Sequence, residues 1–169
     1  MKAINNLRDL MLEQMRDLYN AEIYIKNELN RVADDAHNPE LTTLVQGYID
    51  RHSGMIMRIR QVFDLQYEQK RGETCEAIQT MVEEMQTLMN RAHDPSVKDA
   101  AIITGLQHIM HYKMAGYGAV CSYARQLSFH NEAKILHENL EEEKLYNKTL
   151  AELAETWINI KAVKEAAFI

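Results

Sequence analysis

Glutamate, histidine, lysine and arginine interrupt the apolar stripes of this 169-residue chain at a few points, and those points decide what chemistry it could carry. Glu22 falls between Leu18 and Ile25. Arg51 and His52 fall between Tyr48 and Met55, Lys113 between Met110 and Tyr117, and Glu143 with Asn147 between Leu140 and Leu150. A charge that faces a core costs on the order of several kcal/mol unless a partner compensates it. Carboxylates with an imidazole are the donors of a di-metal centre inside a helical bundle, holding iron or manganese. Here Glu22, His52, Glu142 and Glu143 would be the ligands. The competing chemistry is a buried polar cluster, in which Arg51 and Lys113 neutralise Glu22 and Glu143 while His52 and Asn147 satisfy the remaining hydrogen bonds. Charge decides between the two. Arg51 and Lys113 bring positive charge to the point where divalent ions would sit, and no Glu-x-x-His spacing falls at a core position on the second or last long helix. The expectation is an ion-pair core without metal, cofactor or catalytic residue.

Weaker candidates fall to simpler readings. His108 and His111 are three residues apart with no carboxylate or Cys at helical spacing, so they read as surface or interface residues. The run Glu141-Glu142-Glu143 is mostly a solvated acidic face, and the methionines are adaptable core packing. Cys75 and Cys121 stand far apart, outside any Cys-x-x-Cys spacing, which suits packing residues better than a disulfide or a thiolate metal site. No Gly-rich phosphate loop, nucleophile elbow or Ser/His/Asp arrangement occurs.

The elements that would position these residues are helices. The chain is 46% hydrophobic with only six Gly and two Pro, a composition of helix formers sufficient for one domain over residues 1–169. Apolar residues recurring every three or four positions predict long helices at about 4–36, 39–67, 95–127 and 131–160, and a shorter one at about 74–91. Pro39 and Asp94-Pro95 are helix starts, a polar turn is expected around Gly72, and the tail after Ile160 is expected to fray. Two short antiparallel hairpins joined by nearly thirty residues imply an all-α, ferritin-like four-helix bundle with one long crossover. In such a bundle helix midpoints share one layer, so the interrupting residues could meet. A net charge of −6 with both signs mixed along the chain argues against nucleic acid. No apolar run approaches the ~20 residues that span a bilayer, and the N-terminus is charged throughout, so no membrane partner and a cytoplasmic location are expected.

Several motifs together carry a family resemblance: Leu18-Tyr19-Asn20-Ala21-Glu22, Arg58-Ile59-Arg60-Gln61-Val62-Phe63, Val97-Lys98-Asp99-Ala100-Ala101, His111-Tyr112 with Ala115-Gly116-Tyr117-Gly118, and Leu140-Glu141-Glu142-Glu143-Lys144. Nearly end to end, the chain resembles the bacterial ferritin-like proteins of the stress-associated YciF/YciE type, long carried as a domain of unknown function. The resemblance implies a fold similar to rubrerythrin and ferritin, a homodimer, a possible ferritin-like paralogue as partner, and two iron ions. This chain departs from the pattern at the metal positions. Where the family reads Leu-Glu-Glu-Thr it has Ile49-Asp50-Arg51-His52, where the family reads Glu-His-Tyr-Glu it has Met110-His111-Tyr112-Lys113, and Asn147 replaces an Asp. Glu22, Glu142 and Glu143 match. The implied protein keeps the fold, exchanges the di-iron centre for ion pairs, and has a non-catalytic structural or stress-linked role; the alternative is a di-iron or di-manganese protein handling iron or peroxide.

Overall fold

A computed structural model describes residues 3–70 and 74–166. Helix α1 spans Leu7–Asp35, α2 Pro39–Leu65, α3 Glu76–Arg91, α4 Pro95–Gln126 and α5 His130–Leu153; a π-helical turn, Ala154–Ile158, then leads into α6, Asn159–Ala166. No strand occurs among the described residues. Three of the starts follow from side chains that replace missing helical partners. Asn6 accepts from the Asp9 amide, Asn38 from Glu40 and Leu41, and Asp94 from Val97, with Pro39 and Pro95 in the position where a proline loses nothing. Two ends are closed by a left-handed residue, Tyr67 (φ 54°) after α2 and Ser128 (φ 63°) after α4. In each, the next amide reaches back five residues, Glu68 to Phe63 (3.0 Å) and Phe129 to Ala124 (2.8 Å), which satisfies orphan carbonyls.

Helix α1 packs on α2, α2 on α5, α5 on α4 and α4 on α1, so the long helices form a closed bundle with α3 laid across α4 and α1. Close approach there requires Gly105, since a Cβ on it would lie 2.2 Å from Met85 Cγ. The α1–α2 loop is pinned to α4 by Asp99, whose buried carboxylate accepts from the His37 and Asn38 amides at 2.8 and 2.9 Å. Burial divides the interior into two apolar clusters. One holds Ile25, Leu29, Val45, Val82 and Leu106; the other holds Met15, Leu18, Ile59, Phe63 and Val120. Between them runs a layer of fully buried polar side chains, contributed by every long helix.

The frayed tail expected after Ile160 is corrected by the structure, in which helix continues to Ala166. The π turn admits one extra residue and so keeps Ile158 buried against the core, and that contact holds the following turns. The turn expected around Gly72 falls at 71–73, outside the described residues, as do 167–169. Among the described residues no helix is long and apolar enough to cross a membrane.

Candidate functional site

Lys113 enters the polar layer from the middle of α4 with no exposed surface. Its ammonium lies 2.5 Å from Glu143 Oε1 on α5 and 3.0 Å from Glu22 Oε1 on α1, and 3.1 Å from the Tyr48 hydroxyl on α2. Each carboxylate has a second, phenolic donor. Tyr117 donates to Glu22 Oε1 at 2.5 Å, and Tyr48 donates to Glu143 Oε2 at 2.8 Å. Burial first, and then the neighbouring carboxylates, push both phenols well above their usual range, so they remain donors.

The directions of the other hydrogen bonds follow from what each atom can do. Arg58 Nε can only donate, so the atom of Asn139 it meets is Oδ1. Asn139 Nδ2 is thereby turned inward, donating to the Tyr117 hydroxyl at 3.0 Å and the Met55 carbonyl at 3.2 Å. His52 Nδ1 lies 2.8 Å from the Tyr48 carbonyl, an acceptor, so that nitrogen carries the proton and Nε2 is bare. Nε2 faces Lys113 Nζ and Glu22 Oε2, both at 3.4 Å, and that carboxylate oxygen is buried without a hydrogen-bond partner.

One ammonium thus serves two carboxylates, which leaves the layer one negative charge in excess if all three are ionised. Burial, partly offset by Lys113 and reinforced by Glu22, raises the Glu143 carboxyl to about 7. Burial and then Lys113 lower His52 to about 4, keeping the imidazole neutral. Lys113 shifts the other way. Burial alone would depress it, but attraction to Glu143 and Glu22 wins and holds it above its ordinary value. A raised lysine beside a raised glutamic acid looks contradictory for one pair; it is consistent because a single cation cannot stabilise two buried anions equally.

The family model described as a domain of unknown function, DUF892, matches residues 6–163. The chain belongs to the DUF892 family. It is 30% identical over 164 residues to protein YciF of Escherichia coli (strain K12), covering 96% of this chain and 99% of that protein. The crystal structure of the E. coli stress protein YciF superposes with a TM-score of 0.88 at 29% identity, over 92% of this chain and 99% of that one. YcfI from Rhodopseudomonas palustris does so with a TM-score of 0.86 at 31% identity, over 89% and 96%. A protein from Xanthomonas campestris, 16% identical with a TM-score of 0.73 over 95% and 99%, shares the fold.

Within this DUF892 chain, Glu22, His52, Lys113 and Glu143 meet in the interior, and Arg51 and Asn147 do not. Arg51 is corrected to a surface residue, its side chain 61% exposed and 3.9 Å from Glu142. The buried face of α2 runs through Tyr48, His52, Met55 and Ile59, and position 51 falls off its edge by one helical step. Asn147 is half-buried and accepts from Gln107 on α4, one turn beyond the layer. Glu142 also stands apart from the ligand set proposed with Glu22, His52 and Glu143, because its carboxylate faces Arg58 at 2.8 Å on the bundle's flank. Among the described residues no three His, Cys, Asp or Glu side chains converge to hold a metal ion. Sequence reasoning missed Tyr48, Tyr117, Asn139 and Arg58. The tyrosines read as apolar stripe positions, yet each lies near an interrupting residue, Tyr48 four residues before His52 and Tyr117 four after Lys113, within reach of the same layer. His108 and His111 lie exposed on α4, and Cys75 and Cys121 are buried free thiols.

Proposed function

We propose that this chain is a ferritin-like bundle whose di-metal position has been taken over by the Lys113 ammonium, making it a non-catalytic protein with a structural, stress-linked role. The observation that carries this reading is the contact of one buried ammonium with both carboxylates, Glu143 at 2.5 Å and Glu22 at 3.0 Å. A divalent ion bridging the same two oxygens would have to share its space with a positive charge. The donor set therefore does not fit two metal ions. That the E. coli relative is a stress protein supports the stress-linked part. The iron or manganese reading draws only on the bare His52 Nε2 and the unpartnered Glu22 Oε2, and it requires Lys113 to leave the layer.

Removing the ammonium tests the reading. Lys113→Ala leaves two carboxylates and an imidazole around a vacated position, and that variant is expected to gain ferrous or manganous ion when loaded anaerobically and desalted. A Lys113→Ala protein with wild-type helical circular dichroism and no gain in bound metal would count against a converted metal position.

A further inference from the structure

A cavity of about 560 Å³ opens at the end of the bundle where the α1–α2 loop, the first turns of α2 and α4, and the π turn meet. Its volume is that of a small-molecule site. Asp99 lines it with a side chain only 5% exposed. The His37 and Asn38 amides satisfy the hydrogen bonding of that carboxylate but bring no full opposite charge, and among the described residues its one ion-pair partner is the half-exposed His37 imidazole, 3.9 Å away. A buried carboxylate so placed favours an incoming cation.

The other walls carry the complementary groups. The π turn that buries Ile158 leaves its neighbour Trp157 half exposed in the cavity, with the Lys161 ammonium 4.6 Å from the centre of its ring. Glu40 and Lys161 both line the cavity, yet neither forms an ion pair with the other or with any other described residue. Opposite charges that share a cavity without closing on one another leave space for a ligand that carries both. A simple anion would meet the Asp99 and Glu40 carboxylates, and a simple cation would meet Lys161; a zwitterion meets neither penalty. We propose that this cavity binds a small free α-amino acid with an apolar side chain. Its ammonium lies toward Asp99 and Glu40, its carboxylate toward Lys161 and the Ser96 hydroxyl, and its side chain against the Trp157 ring. The proposal is independent of the chemistry of the buried layer.

Trp157 is the single tryptophan of the chain, so its fluorescence reports on this cavity directly. Titration of the full chain with L-phenylalanine is expected to change that fluorescence saturably, with a Kd below about 1 mM. Two matched probes separate the charges. 3-Phenylpropanoate lacks the ammonium and phenethylamine lacks the carboxylate, and each should bind at least about tenfold more weakly than phenylalanine. Glu40→Gln and Lys161→Met change exposed side chains and spare Asp99, which pins the α1–α2 loop; each should weaken phenylalanine about three- to tenfold. Lys161→Met should do so without weakening phenethylamine, a selectivity that a general loss of structure would not produce. No saturable change up to about 10 mM phenylalanine would overturn the proposal. So would equal binding of the three probes, or an affinity for phenylalanine that both substitutions leave unchanged.

Discussion

Replacing His52 by Gln should uncover a pH dependence of stability that the wild-type protein conceals. Glu143, ordinarily near 4.5, is raised to about 7 in the fold. Between those values the folded chain keeps a proton that the unfolded chain has lost, so this group makes stability fall as pH rises from about 4.5 to 7. His52 works in the opposite sense. Its folded value is lowered from 6.5 to about 4, so the unfolded chain holds the extra proton and stability rises with pH across that window. Each shift corresponds to about 3 kcal/mol at 1.36 kcal/mol per pH unit. From about 4.5 to 6.5 the two slopes cancel, because folding moves one proton from an imidazole to a carboxyl with no net uptake. Urea denaturation of wild type and His52→Gln at half-unit steps from pH 4.5 to 7.5 provides the assay, and subtracting the two profiles removes the surface groups common to both. Wild type minus variant should climb with pH by about 3 kcal/mol and level off near pH 6.5. A flat difference would refute the reasoning, since it would mean that the imidazole is not held neutral by the buried layer.

Lys113→Met keeps the volume of the side chain but strands two buried carboxylates, and a destabilisation of about 3–5 kcal/mol is expected in urea at pH 7.5. The same substitution combined with Glu22→Gln and Glu143→Gln should recover most of that loss. Arg51→Ala, by contrast, removes an exposed charge 3.9 Å from Glu142 and should change stability by less than about 0.5 kcal/mol; a loss comparable to that of Lys113→Met would return Arg51 to the core.

Helix periodicity was enough to locate the long helices, because Pro39, Asp94 and Pro95 mark starts in residue type alone and the apolar spacing marks the rest. It was also enough to bring Glu22, His52, Lys113 and Glu143 to one level, since residues central to a stripe near the middle of antiparallel helices have nowhere else to point. Where it failed, the cause was angular resolution or reach. Arg51 and His52 are neighbours in sequence and about 100° apart around the helix, which separates a solvated guanidinium from a fully buried imidazole. Asn139 sits beside Leu140 and was hidden by it, and Arg58 reaches the layer only through a long side chain lying along the flank. The π turn at Ala154–Ile158 has no sequence signature of its own, and with it went the prediction that the tail would fray.

Elemental analysis after anaerobic ferrous loading and desalting, with zinc and manganese read in parallel, bears most directly on the ammonium-filled layer. Wild-type protein is expected to retain metal well below one equivalent, and Glu22→Ala should not change that. One or two equivalents in wild type, lost in Glu22→Ala or Glu143→Ala, would contradict it and restore a metal centre to the bundle.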